Sequence, residues 1–229
     1  MKNARPVSNL PEQTEFTGRR TFLKYLSLSA AVPVLPLVSV ACQKYNQVAE
    51  NKDDYKLPRT PDHRAICASC ATPASLSSKV TIASASEPGD RMVISGTIYQ
   101  PDGVTPADGI VLFVYHTDAT GYYNKQDDPF SPRLRAWLRT GADGKYEFQT
   151  IKPGPYPHFA TPAHIHASLW GPGYPEYGID EYWFEGDPRI NATERAKLPG
   201  RGGYNNVISL KLDGGGVLRG ARDIKVERV

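Results

Sequence analysis

The sequence predicts an all-β protein, an antiparallel β-sandwich over residues 78–229, reached through an export signal and a polar tether. Three observations predict it. From about residue 78 the chain breaks into short runs of β-branched, aromatic and aliphatic residues. Between the runs stand Gly, Pro, Asp and Asn, and the 20 glycines and 20 prolines among 229 residues supply turns at close spacing. No stretch of the domain keeps apolar residues at helical spacing over three turns. Short strands separated by such turns bury their apolar faces best as two stacked sheets.

Residues 1–42 read as an address. Thr17-Gly18-Arg19-Arg20-Thr21-Phe22-Leu23-Lys24 resembles the twin-arginine export signal and precedes an apolar run from Tyr25 to Ala41. Pro33 and Pro36 break that run, which is short for a membrane span of about 20 residues. Ser39-Val40-Ala41-Cys42 resembles a lipoprotein cleavage box with Ser39 where leucine is usual, so Cys42 is a candidate lipidation site, with plain cleavage nearby as the competing reading. The expected destination is the periplasm or cell envelope, with a lipid anchor if Cys42 is modified.

This leader also carries the net charge of +3. Residues 1–42 hold five Lys/Arg against two Asp/Glu, which leaves 22 of each in the remainder. A neutral body gives no sign of nucleic-acid binding. Residues 43–77 are polar, with Asn51-Lys52-Asp53-Asp54 and scattered prolines, and are expected as a tether. Within it lies Cys67-Ala68-Ser69-Cys70. In an exported chain such a pair is a candidate disulfide. No second cysteine pair completes four sulfurs for zinc, and no histidine follows Cys70 as haem attachment requires.

The strands follow in order. Arg91 to Gln100 and Ile110 to His116 are β-type runs separated by Pro101-Asp102-Gly103 and Ala107-Asp108-Gly109. Arg135 to Thr140 and Lys145 to Ile151 flank Gly141-Ala142-Asp143-Gly144, which reads as a hairpin. His164 to Trp170 is the next strand. Val207 to Leu212, Val217-Leu218 and Asp223 to Val226 complete the set around Asp213-Gly214-Gly215-Gly216.

Chemistry concentrates in Pro153-Gly154-Pro155-Tyr156-Pro157-His158-Phe159-Ala160-Thr161-Pro162-Ala163-His164-Ile165-His166. His164 and His166 are two apart on a strand, so their side chains share a face roughly 7 Å apart along the backbone. Two imidazoles so placed can converge on one metal ion. They are two of only five histidines in the chain.

A second segment, Tyr115-His116-Thr117-Asp118-Ala119-Thr120-Gly121-Tyr122-Tyr123, lies upstream. With Thr150-Ile151-Lys152-Pro153-Gly154-Pro155-Tyr156, Pro162-Ala163-His164-Ile165-His166 and Tyr182-Trp183-Phe184-Glu185-Gly186-Asp187-Pro188, it makes four blocks in order over residues 89–212. Together they resemble the intradiol ring-cleavage dioxygenases, the family of protocatechuate 3,4-dioxygenase and catechol 1,2-dioxygenase. The resemblance implies that family's sandwich, a non-haem Fe(III) cofactor, and Tyr123, Tyr156, His164 and His166 as its ligands. Tyr122 competes for the Gly-x-Tyr role, but the family spacing favours Tyr123. Tyr123 and Tyr156 are the implied catalytic residues, Tyr156 being the ligand that leaves as substrate binds. The implied reaction cleaves a catechol between its two hydroxylated carbons with O2, and the relatives' assemblies imply a homo-oligomer.

The donor set agrees with that ion. Free tyrosine titrates near 10, so only a strong Lewis acid holds two phenolates near neutral pH. Copper or zinc would suit two imidazoles but explains two tyrosines less well. The substrate shell departs from the family: Thr161 stands where an arginine is usual, and Glu181 where a glutamine is usual. Losing a cation and gaining a carboxylate disfavours anionic substrates, although Arg133, Arg135 or Arg139 could replace the cation, so the candidate shell is Thr161, Glu181 and Arg135. The alternative is a β-sandwich binding module that keeps the metal ligands without ring cleavage, because fold alone does not set function.

Overall fold

The computed structural model describes Leu57, Arg59 and residues 66–228. All of them fall within one of the chain's two compact units, Val38–Val229. The expected twin-arginine signal and Cys42 lie outside the described residues.

Eleven strands are described. They are β1 (Lys79–Thr81), β2 (Arg91–Tyr99), β3 (Val111–His116), β4 (Leu134–Arg139), β5 (Lys145–Ile151), β6 (His164–Gly171), β7 (Tyr174–Phe184), β8 (Val207–Ile208), β9 (Lys211–Leu212), β10 (Leu218–Ala221) and β11 (Ile224–Lys225), with a four-residue helix α1 (Ala192–Arg195) before β8. They form a β-sandwich. One sheet runs β1-β5-β2-β10-β9 with β11 also on β2, and the other runs β4-β3-β6-β7-β8. The long pairings are antiparallel, as expected. Four short ones, β1 on β5, β10 and β11 on β2, and β8 on β7, are parallel, so the sandwich is mixed at its margins.

Alternation builds the core between the sheets. Ile165, Ala167 and Leu169 of β6, Leu112 and Val114 of β3, and Tyr182 and Phe184 of β7 point inward to meet Ile94, Phe148 and Ile151 of the facing sheet. The intervening residues of β6, His164 and His166, therefore emerge on the outer face of the second sheet. That outer face is itself partly covered. Val111, Phe113 and Trp137 form a second apolar cluster with Leu57 and Ala68.

That cluster corrects two sequence expectations. Residues 66–77 are not a free tether, and the packed domain begins upstream of residue 78. Cys67 and Cys70 form a disulfide, the Trp137 indole donates to the Ala68 carbonyl at 3.0 Å, and Glu176 accepts from Ala68 N and Ser69 N at 3.0 and 2.9 Å. An exposed aromatic stripe on β3 and β4 needs cover, and this short polar segment supplies it. The second correction concerns residues 141–144. They reverse the chain, but β4 and β5 belong to different sheets and do not pair. The turn crosses the sandwich because Thr140 is held by Ile110 and Ala107 on one side while Ile98 N donates to the Gly144 carbonyl on the other.

Candidate metal centre

Two loops and one strand bring the donors together. The β3–β4 loop carries Tyr123 and the β5–β6 loop carries Tyr156. Asp118 organises the first, its Oδ1 accepting from Thr120 N and Tyr122 N at 2.8 and 3.2 Å. The loops then lie backbone against backbone. Gly154 N donates to the Asp118 carbonyl at 2.8 Å and Thr117 Oγ1 to the Gly154 carbonyl at 2.9 Å. Gly121, at φ +92°, makes this approach possible, since a Cβ there would stand 2.2 Å from the Pro155 carbonyl oxygen. His116, 1% exposed, bolts the base: its ring nitrogens meet the Thr117 carbonyl at 2.6 Å and Thr150 Oγ1 at 2.8 Å.

Tyr123, Tyr156, His164 and His166 converge on one point. Tyr123 Oη lies 2.8 Å from His166 Nε2, and Tyr156 Oη lies 3.1 Å from His166 Nε2 and 3.2 Å from His164 Nε2. The two imidazole Nε2 atoms are 3.0 Å apart, and the two phenol oxygens are in direct contact. A metal with bonds of about 2.1 Å places neighbouring ligand atoms roughly 3 Å apart, so these separations match the edges of one coordination shell. Tyr123 is 4% exposed and faces the cluster, whereas Tyr122, 36% exposed, faces outward.

Protonation supports a cation between them. His164 Nδ1 lies 2.6 Å from the Pro162 carbonyl, which can only accept, so that nitrogen bears the proton. His166 Nδ1 lies 3.1 Å from Glu181 Oε1 and is likewise the donor. Neutral rings thus turn both Nε2 lone pairs toward the two phenol oxygens, where either a phenol O–H or a cation can take them. Burial, with the His166 imidazole beside it, pushes His164 down to about 4, so its ring is neutral. Burial pushes the Tyr156 phenol up to about 12, and burial with the adjacent Tyr156 and Tyr115 phenols raises Tyr123 further. Without a positive ion both phenols stay neutral. The donor set of two phenols and two imidazoles therefore fits a hard, highly charged metal.

The substrate-shell candidates separate. Thr161 and Glu181 line a groove of about 280 Å³ against the centre, with Tyr115, His166, Trp183 and Leu198. Glu181 is also a direct partner of His166, a role the sequence reading missed. Burial alone would raise its carboxyl, but hydrogen bonds from His166 and Trp183 and the two imidazoles beside it hold it well below the usual range. Arg135 corrects the expectation: it sits on β4 opposite Tyr115, buried, donates to the Pro132 carbonyl and does not line this groove. Tyr115 was not anticipated as a site residue either. It lies opposite His166 in register and stacks on its ring, centroids 4.5 Å apart. His164, His166 and Glu181 also present ligand atoms within 4.8 Å of one another, but the edges among the tyrosines and imidazoles are shorter.

The family profile described as Dioxygenase matches residues 68–198. The chain is 34% identical over 131 residues to chlorocatechol 1,2-dioxygenase of Rhodococcus opacus, covering 47% of this chain and 49% of the relative. It is 33% identical over 113 residues to the protocatechuate 3,4-dioxygenase beta chain of Burkholderia cepacia, covering 44% and 48%. The chain thus spans about half the length of the curated relatives it matches. Among solved structures, the dioxygenase domain of a dioxygenase carbohydrate-binding protein fusion from Streptomyces sp. SirexAA-E superposes with a TM-score of 0.54 at 25% identity, over 69% of this chain and 93% of that one.

Proposed function

Because this chain belongs to the intradiol ring-cleavage dioxygenase family, we propose that it is a non-haem Fe(III) dioxygenase that cleaves a catechol between its hydroxylated carbons with O2. The convergence of Tyr123, Tyr156, His164 and His166 carries the reading. A ferric ion, when bound, would supply the Lewis acidity that keeps two phenols ionised and draws a catechol in as its dianion.

The chain's own residues do the rest. Tyr123 and His164, both buried, are the fixed donors. Tyr156 is only partly buried, and its phenolate oxygen is the base best placed to take a proton from an entering catechol hydroxyl. Tyr115 and Trp183 wall the groove with aromatic surface on which a ring can lie. Among the described residues no arginine lines it, and the one lining lysine, Lys197, is bound to Glu194 at 2.6 Å. With Glu181 facing the same space, the expected substrate is a catechol without an anionic substituent.

The test is colour, metal content and oxygen uptake. Protein made with ample iron is expected to be red from tyrosinate-to-iron charge transfer, to hold one iron per chain, and to consume O2 with catechol faster than with 3,4-dihydroxybenzoate. A colourless, iron-free preparation would falsify the proposal. Export by the twin-arginine route, which carries folded proteins, completes the reading. Loading iron before export would shield the centre from copper and zinc outside, and rerouting the chain for unfolded export should lower its iron content. A lipid anchor at Cys42 and a homo-oligomer are tested by mass spectrometry and light scattering of the exported protein.

A further inference from the structure

The two histidines of the centre are not equivalent. His164 gives its Nδ1 proton to a neutral acceptor, the Pro162 carbonyl. His166 gives its own to a carboxylate, Glu181 Oε1, at 3.1 Å. The other Glu181 oxygen takes the Trp183 indole N–H at 3.1 Å, so the carboxylate cannot rotate away without losing that bond. Tyr115 stacks on the same imidazole with 19° between the planes. The ring is therefore held at its edge by Glu181 and on its face by Tyr115, with Nε2 turned toward the phenols. Among the described residues, the ion-pair partners of Glu181 are the two imidazoles alone.

We infer that Glu181 is a positioning residue of the metal centre: by accepting the His166 Nδ1 proton it fixes that imidazole with Nε2 on the ion and makes it the stronger donor of the two. The inference rests on the proposed ferric reading and deepens it. A carboxylate behind a ligating imidazole lends it anionic character and raises its basicity. Two phenolates neutralise two charges of a trivalent ion, and Glu181 places a third negative charge one imidazole away. That charge stabilises the ferric over the ferrous state, so Glu181 sets the potential of the centre as well as its geometry.

The experiment compares wild type, Glu181→Gln and Glu181→Asp. Each is measured for affinity toward Fe(III) and, separately, Co(II) by chelator competition, for the charge-transfer maximum and for reduction potential. Glu181→Gln is expected to bind metal roughly 10–100-fold more weakly, with the charge-transfer band moved to longer wavelength and the potential raised. Glu181→Asp is expected to recover part of each change. A merely structural role would lower thermal stability and leave band and potential where they were. If Glu181→Gln does not fold, Glu181→Asp alone must move band and potential in the same direction by less. Iron affinity within twofold of wild type, with an unmoved band, overturns the inference and leaves the ferric proposal standing. Wild type that takes cobalt but no iron, with Glu181→Gln weakening cobalt, does the reverse. Wild type that binds neither metal overturns both.

Discussion

Replacing Gly121 by alanine should part the two tyrosine-bearing loops. The new Cβ would lie 2.2 Å from the Pro155 carbonyl oxygen and 3.0 Å from Pro157 Cδ, whereas ordinary contact begins at 3.4 Å. Relief requires the loops to separate by about 1.2 Å, the difference between the first and last of those distances. The left-handed conformation at φ +92° adds about 1–2 kcal/mol for any L side chain. Loss of the Gly154–Asp118 and Thr117–Gly154 hydrogen bonds adds about 1 kcal/mol each. A total of about 3 kcal/mol corresponds to a Tm lower by roughly 6–12 °C for a domain of this size. The effect on the centre is larger, because a displacement of about 1 Å can cost on the order of 100-fold in rate. Iron stoichiometry, charge-transfer absorbance, oxygen uptake and calorimetry measure it. Gly173→Ala is the control: φ is +80° there but none of the described residues lies within 4 Å, so it carries the conformational cost alone and should leave the iron untouched. Equal Tm values for the two variants, with full iron in both, would refute the reasoning.

Three further outcomes are expected. Tyr123→Phe deletes a buried donor oxygen and should abolish most of the charge-transfer colour while the metal-free fold survives, as read by visible absorbance beside circular dichroism. Burial holds His116 down to about 4 from its ordinary 6.5, so it is neutral in the fold and protonates more readily in the unfolded chain. Stability is therefore full above pH 6.5 and falls as pH drops toward 4, by about 2 kcal/mol between pH 7 and 4.5; His116→Gln should remove that slope from urea unfolding of metal-free protein. The Cys67–Cys70 disulfide closes a short loop, so Cys67→Ser/Cys70→Ser should cost about 2 kcal/mol or less without lowering iron content, and a large loss of iron would tie this segment to the centre.

Much of the fold was legible because runs of β-type residues bounded by Gly, Pro and Asp declare strands. Those runs revealed β2, β3, β5 and β6 within a residue or so, and alternation in β6 put His164 and His166 on one face. β7 escaped the same reading although it is the longest strand. Pro175 and Gly178 interrupt its alternation, and its residues face solvent, core and metal centre in turn. Residues 141–144 carried every sign of a hairpin, because turn chemistry specifies a reversal and is silent about which sheet receives the next strand.

Spacing on a strand singled out His164 and His166 as a candidate pair, and the resemblance to the family added Tyr123 and Tyr156. Partnership was a different matter. Glu181 meets His166 because the β6–β7 pairing slips between Ile165 and Ala167, and a bulge leaves no composition signal strong enough to predict it. Tyr123 faces the centre and Tyr122 the solvent because Gly121 lets one loop settle against the other. Arg135 was lost to the groove because its strand buries it behind Tyr115. Local chemistry determined what could bind a metal here, and long-range register and loop packing determined which carboxylate stands behind it and which cation does not.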